Sequence, residues 1–131
     1  MTSAGGVSVS DALGAFLTER HLATLVTLRA DGSPHAVPVG FTYTGGVARV
    51  ITRAGSVKVA NMLRDQRVSL TQHDGARWVT LSGLAVVSDD ASRVAAAVQA
   101  YTQRYQAPRD NPSRVVVEIE VQRIVCNSGL R

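Results

Sequence analysis

A chain of 131 residues, 45% of them hydrophobic, holds enough material for one globular domain with a sizeable core and too little for two. Fourteen Lys and Arg against ten Asp and Glu leave a formal charge of +4, which favours anionic ligands, but 5% aromatic residues are too few for the stacking platform of a single-strand nucleic-acid binder. The opening MTSAGGVSVSDA lacks both the basic start and the apolar run of a signal peptide, no later segment could span a bilayer, and the lone Cys126 permits neither an internal disulfide nor a cysteine-rich metal site.

The expected location is therefore the cytoplasm, for a single domain over 1–131 in which 1–8 form a flexible N-terminus. Ser8 and Asp11 are spaced like a capping box, and Leu13, Phe16 and Leu17 follow at helical spacing, which predicts a short helix from about Asp11 to Arg20. LATLVTL, from Leu22 to Leu28, is a β-branched and aliphatic run that ends near Asp31-Gly32, a hairpin signal. The next run, PHAVPVGFTYT, is read as one strand pairing back across that turn. After Gly45-Gly46 comes VARVIT, another strand, then a small loop and a short helix from about Val57 to Asp65.

RVSLTQH and RWVTLSGLAVVS flank a second such dipeptide, Asp74-Gly75, and predict another hairpin, with Gly83 marking a bulge or bend. Asp89 and Asp90 open a helix whose apolar face is Val94, Ala97, Val98, Tyr101 and Tyr105. QAPRDNPS is a polar loop. The final strand, RVVVEIEVQRIV, sets Val117, Ile119 and Val121 against Glu118, Glu120 and Gln122, the alternation of a half-exposed strand. Six strands joined mostly by hairpins give a mainly β fold with short flanking helices. Closing the antiparallel sheet into a small barrel would remove its edges.

The motifs of common enzymes are missing: there is no GxGxxG, P-loop, GxSxG or HExxH, and His21, His35 and His73 lie far apart in sequence. An enzyme of this composition would draw its reactivity from a cofactor that the protein binds and orients. One stretch, ITRAGSVKVANM, places a lysine in the first turn of a helix, where the partial positive charge of the free amides makes a cation unfavourable unless an anion sits nearby. Ser56 can cap that helix, and Lys58 and Arg53 add charge at the same spot, a combination suited to a phosphate. The plain alternative is a solvated Lys and Arg beside an ordinary serine cap.

In HAVPVGF, Pro38 cannot donate to a β-ladder and must lie at an edge or bulge. Backbone groups freed there could meet the edge of a planar heterocycle, with His35, Val37 and Val39 giving shape; equally, Pro38 could do no more than blunt an edge strand. Arg77-Trp78 follows the second hairpin turn. Trp78 could wall a ring-binding cleft while Arg77 meets an acid, or it could pack in the core or between subunits.

Taken in order, ATLVTLRADGSPHAVPVGFTY, ARVITRAGSVKVANMLRD, DGARWVTLSGLAVV and RYQAPRDNPSRVVVEIEVQRI resemble the flavin and deazaflavin oxidoreductases of the pyridoxamine 5'-phosphate oxidase-like split β-barrel superfamily, over about Ser8 to Val125. Within it the chain is most similar to the actinobacterial coenzyme F420-dependent biliverdin reductases. The resemblance implies a split barrel, a homodimer with two cofactor sites between subunits, and coenzyme F420 as cofactor, with FMN as the alternative. It implies that Thr52, Arg53, Ser56 and Lys58 hold the cofactor phosphate, with Ile51 also in the cofactor site, that His35, Val37, Pro38 and Val39 run along the ring system, and that Arg77 and Trp78 close the cleft. The implied acceptor is biliverdin or a related tetrapyrrole, whose carboxylates would need cations, for which Arg77, Arg104, Arg109 and Arg114 are the candidates. No metal, membrane or nucleic acid enters this reading. The chain ends in IVCNSGLR instead of the arginine-leucine-proline type segment of true pyridoxamine phosphate oxidases, which argues against oxidation of vitamin B6 phosphate. A protein that binds a flavin or tetrapyrrole without turnover is the third alternative.

Overall fold

Tight turns set the strand limits in the computed structural model, which describes residues 7–131. β1 (Ala23–Leu28) and β2 (Pro34–Val39) pair antiparallel from Ala23 opposite Val39 to Leu28 opposite Pro34. β3 (Thr42–Thr44) turns into β4 (Val47–Arg53) through Gly45 and Gly46, with φ of 59° and 86°. Two consecutive positive φ values suit the right-handed twist of a two-residue hairpin, and glycine adopts them without steric cost. β5 (Arg67–Asp74) and β6 (Arg77–Ser88) form the second long hairpin, and β7 (Arg114–Cys126) lies between β6 and β4.

The sheet thus has seven strands in the order β2-β1-β5-β6-β7-β4-β3, not six, and it is not closed by a hydrogen-bonded ladder. The extra strand arises because PHAVPVGFTYT breaks at Gly40-Phe41. There the Phe41 N–H donates to the Tyr105 hydroxyl at 3.2 Å and its carbonyl accepts from Arg104 at 2.6 Å, so neither group joins a ladder. The two open edges are blunted in other ways: β3 has only three residues, and β2 carries Pro34 and Pro38.

The first helix, α1 (Asp11–Thr18), is capped by Ser10 and not by Ser8, which forms an isolated β-bridge. The Ser10 Oγ accepts the Leu13 N–H at 3.0 Å and donates to the Leu130 carbonyl at 2.6 Å, tying the helix to a final 3-10 turn (Ser128–Leu130). Of the N-terminus expected to be flexible, 1–6 lie outside the described residues. α2 (Val57–Arg64) sits against β1 and β6, sending Val59, Asn61 and Met62 inward; the Asn61 amide donates to Thr27 at 3.0 Å. α3 (Ala91–Arg104) covers the outer side of β4 and β7, and its expected apolar face has Ala97 buried with the other members half-buried. That cover explains why Val116 is buried although it points opposite to Val115 and Val117. The core inside the barrel centres on Phe16, Leu25, Phe41, Met62, Leu81 and Ile119. No helix among the described residues is long and apolar enough to cross a membrane.

Gly83 lies at a register shift: Ser82 faces Arg123 and Gly83 faces Val121, so Gln122 of β7 is the additional residue of a bulge.

At the end of α1 a bridged group of charges joins three segments. Arg77 binds both oxygens of Glu19 (2.8 and 2.9 Å) and Asp74 (2.6 Å), stacks 4.6 Å over Phe16, and leaves the His21 Nε2 2.9 Å from Glu19. The hydrogen bonds from Arg77 first, and His21 second, hold the Glu19 carboxyl at about 2, below its ordinary 4.5. The folded pKa lies below the unfolded one, so this contribution to stability is present above the ordinary value and disappears as pH falls toward about 2. Denaturation midpoints of the wild type and Glu19→Gln should therefore differ at neutral pH and converge on acidification to about 2. Asp65, also held at about 2 by Arg67, titrates in both proteins and cancels in the comparison. Curves that stay parallel down to that acidity would show that the bridge contributes nothing.

Candidate functional site

Where β4 gives way to α2, the chain builds an anion-seeking corner. Ser56 is buried and caps α2, its Oγ facing the Val59 N–H at a long 3.4 Å. The Val57 and Lys58 amides ahead of it have no carbonyl one turn back to accept them, and they carry the positive end of the helix dipole. Lys58 lies half-buried in that first turn. Burial, and then the positive charge of Arg53, push its ammonium pKa below the ordinary 10.5. Directly across the ladder from Arg53 stands Arg114, a like-charge pair of the kind that is unfavourable without a counter-ion. Arg114 donates to the Arg109 carbonyl, and neither Arg53 nor Lys58 has a carboxylate partner among the described residues.

Lys58 opens onto a cleft of about 260 Å³. One wall is the end of β2 with Pro38, Val39 and Gly40, another is Ile51 and Thr52 of β4, and Tyr101, Pro108, Asn111 and Arg114 complete it. No carboxylate or histidine lines it. The slot is otherwise neutral, with Lys58 and Arg114 as its charged lining residues and Arg53 beside it; it can bind a flat molecule with an anionic tail and offers no carboxylate or imidazole for general acid-base work. A separate apolar groove of about 360 Å³ lies between α1 and the β3–β4 turn, but no cation lines it.

The structure gathers Pro38, Val39, Ile51, Thr52, Lys58 and Arg114 on one cleft, with Arg53 and Ser56 beside it. His35 and Val37 lie behind it on the core face of β2, opposite Thr27 and Leu25; the His35 Nδ1 is buried without a hydrogen-bond partner among the described residues. Arg77 is held in the Glu19 and Asp74 bridges, and Trp78 stands at the start of β6, 37% exposed, its backbone N–H donating to Asn127; neither lines the cleft of its own chain. Arg109 is exposed on the loop before β7. Arg104, expected among the substrate-facing cations, turns inward instead: its guanidinium donates to the carbonyls of Glu19 and Phe41 and to the Gln72 side chain.

Sequence reasoning did not assign Gly40, Tyr101, Pro108 or Asn111 to the site. Gly40 carried a readable signal, a glycine directly after the proline-bearing segment. Tyr101 was read only as part of an apolar helix face, because nothing local says which side of α3 meets a cleft. The Glu19, His21 and Asp74 group offers metal-ligand atoms within 4.8 Å of one another, but Arg77 already answers its charge.

Comparison with known proteins identifies relatives of the chain. The pyridoxamine 5'-phosphate oxidase family matches residues 9–125. A coenzyme F420-dependent biliverdin reductase of Mycobacterium tuberculosis (strain CDC 1551 / Oshkosh) is 50% identical over 124 residues, covering 93% of this chain and 90% of that protein. A conserved hypothetical protein of Mycobacterium tuberculosis superposes with a TM-score of 0.80 at 25% identity, over 96% of this chain and 88% of the other. A solved F420 reductase reaches 0.76 at 21% identity, over 89% and 98%, a likeness of fold. With seven antiparallel strands split at Gly40-Phe41 and a match over nearly its whole length, the chain belongs to the pyridoxamine 5'-phosphate oxidase family.

Proposed function

We propose that the protein is a coenzyme F420-dependent reductase that passes a hydride to an unsaturated organic acceptor, biliverdin or a related tetrapyrrole. The observation that carries this reading is the group of Arg53, Lys58 and Arg114, without carboxylate partners among the described residues, at the mouth of a neutral slot beside the α2 N-terminus. The 50% identity to a biliverdin reductase that uses the same cofactor supports it. The residues fit such a cofactor: a phosphate would supply the counter-charge that the half-buried Lys58 lacks.

When bound, reduced F420 supplies hydride from its deazaflavin ring. The protein's share is to hold and shield. Ser56 presents the α2 amides, Lys58 and Arg53 bind the phosphate, and Pro38 to Gly40 with Ile51, Thr52 and Tyr101 wall the ring. The cleft offers no carboxylate or imidazole, and in this reading solvent or the cofactor supplies the proton that completes the reduction. Arg109 and Arg114, the cations nearest the outer loop, meet the acceptor's carboxylates. In this reading the protein works as a homodimer in the cytoplasm, and Arg77 and Trp78, which do not line the cleft of their own chain, close that of the other subunit.

The test is to mix the purified protein with reduced F420 and biliverdin and follow both absorbances. Coupled loss of the two supports the assignment. Cofactor oxidation without biliverdin loss would remove biliverdin as acceptor, and saturable FMN binding with no F420 binding would replace the cofactor. Stoichiometric binding without turnover would make the protein a carrier.

A further inference from the structure

The strand crossing at Gly40-Phe41 has no ladder partner, and two neighbouring residues at the end of α3 supply what the sheet does not. The Tyr105 hydroxyl donates to the His21 carbonyl at 2.6 Å and accepts the Phe41 N–H at 3.2 Å. Arg104 donates to the Phe41 carbonyl at 2.6 Å, to the Glu19 carbonyl at 2.9 and 2.7 Å, and to the Gln72 side-chain oxygen at 2.6 Å. Its guanidinium also lies 4.6 Å from the Phe41 ring and 5.1 Å from the Tyr105 ring.

This is an expensive way to brace a loop. Arg104 is a half-buried cation with no carboxylate partner among the described residues, and burial lowers its pKa from the ordinary value. What a guanidinium offers in return is five donors in a planar fork, enough to bind oxygens from α1, β5 and the crossing at once. Lysine has three donors on one nitrogen and cannot span them. The same turn of α3 touches the cleft itself. Tyr101, one helical turn before Tyr105 and with its ring 4.8 Å from it, lines the slot and packs so closely on Gly40 that a Cβ there would come within 2.8 Å of the Tyr101 ring.

From this geometry we infer that Arg104 and Tyr105 are positioning residues for the reaction, fixing the Gly40-Phe41 crossing and Tyr101 so that the wall of the slot stays in register with the ring it holds. The inference rests on the reading that this cleft holds the redox ring. Neither side chain lines the cleft. The phosphate corner at Lys58 lies on a different element, so the clamp governs orientation more than binding. Misplacing a reacting group by about 1 Å costs on the order of a hundredfold in rate.

The experiment compares Tyr105→Phe, Arg104→Lys and a control, Leu130→Ala, whose side chain is buried beside the C-terminal turn. Three quantities are measured: melting temperature, affinity for reduced F420 by its fluorescence, and turnover with the acceptor. Tyr105→Phe should lower kcat about tenfold or more while affinity changes less than about threefold. Arg104→Lys, which keeps the charge but not the fork, should do the same. Leu130→Ala should lose thermal stability and keep its kcat. In the ligand-free protein, amide exchange at Phe41 should accelerate in Tyr105→Phe and stay unchanged in Leu130→Ala. A Tyr105→Phe protein that melts earlier but keeps wild-type kcat would reduce the clamp to a stabilising brace and overturn the inference. So would unaltered exchange at Phe41. If the wild type neither binds nor oxidises reduced F420, the functional reading fails instead, and Phe41 exchange still decides whether the clamp holds the crossing. Should Arg104→Lys fail to fold, Tyr105→Phe, which retains the ring, carries the decision.

Discussion

Alanine at Gly83 is expected to destabilise the protein by about 3 kcal/mol or more, enough to lower the melting temperature by roughly 10 °C. A Cβ at this position would lie 1.9 Å from the Glu120 carbonyl oxygen and 2.8 Å from its carbon, with Val121 Cα at 3.1 Å. All three are backbone atoms of the neighbouring strand, so no side chain can swing away to relieve the clash. The strand itself must move, and β6 and β7 form the longest ladder in the sheet, with the bulge at Gln122 already fixing their register. The requirement is for close approach, since Gly83 is not among the positive-φ glycines. Thermal unfolding checks it. A Gly83→Ala protein that melts within a degree or two of the wild type would mean that the two strands can separate at little cost.

Charge reversal at Lys58 is the second large effect. Lys58→Glu should weaken binding of reduced F420 by about a hundredfold, roughly twice the free energy of removing one charge-assisted hydrogen bond, because a cation is lost and an anion is placed against the phosphate. Lys58→Ala should lose about tenfold. The protein should remain folded in both, since the Lys58 side chain makes no hydrogen bond or ion pair among the described residues and its burial disfavours its own charge. The same fact fixes a pH dependence. In the free protein burial and Arg53 lower the Lys58 pKa, and a bound anion would raise it again, so affinity should fall as alkaline pH deprotonates the ammonium, at values below its ordinary 10.5. Titration by cofactor fluorescence at several pH values follows both effects. Equal affinity in wild type and Lys58→Glu would place the anion elsewhere and leave Lys58 a solvated side chain.

Much of the fold is legible in the sequence. The dipeptides Asp31-Gly32 and Asp74-Gly75 and the pair Gly45-Gly46 gave the hairpins, since the turns they form need backbone angles that few other residues take. Gly83 announced its bulge, and the serine before Val57 announced a helix cap beside two cations. The strand count was misread where the cause lay far away in sequence. PHAVPVGFTYT has the composition of one strand, and it breaks because Tyr105 and Arg104, 64 and 63 positions from Phe41, take its backbone hydrogen bonds. Ser10, in place of Ser8, caps the first helix, and its hydroxyl also donates to the Leu130 carbonyl, 120 positions away.

What the sequence by itself determined was therefore local: the alternation of strands, the turn chemistry, the capped helix with Lys58 in its first turn, and the family pattern those pieces make in order. Only the tertiary structure decided which cations are available. Arg77 and Arg104 look no different from Arg53 and Arg114 in a string of letters, yet the first two are bound by Glu19, Asp74 and buried carbonyls while Arg53 and Arg114 face each other across a ladder. A guanidinium's availability depends on which oxygens the fold brings beside it. Those oxygens come from segments that meet only when the sheet curls and leaves its edges apart at Gly40.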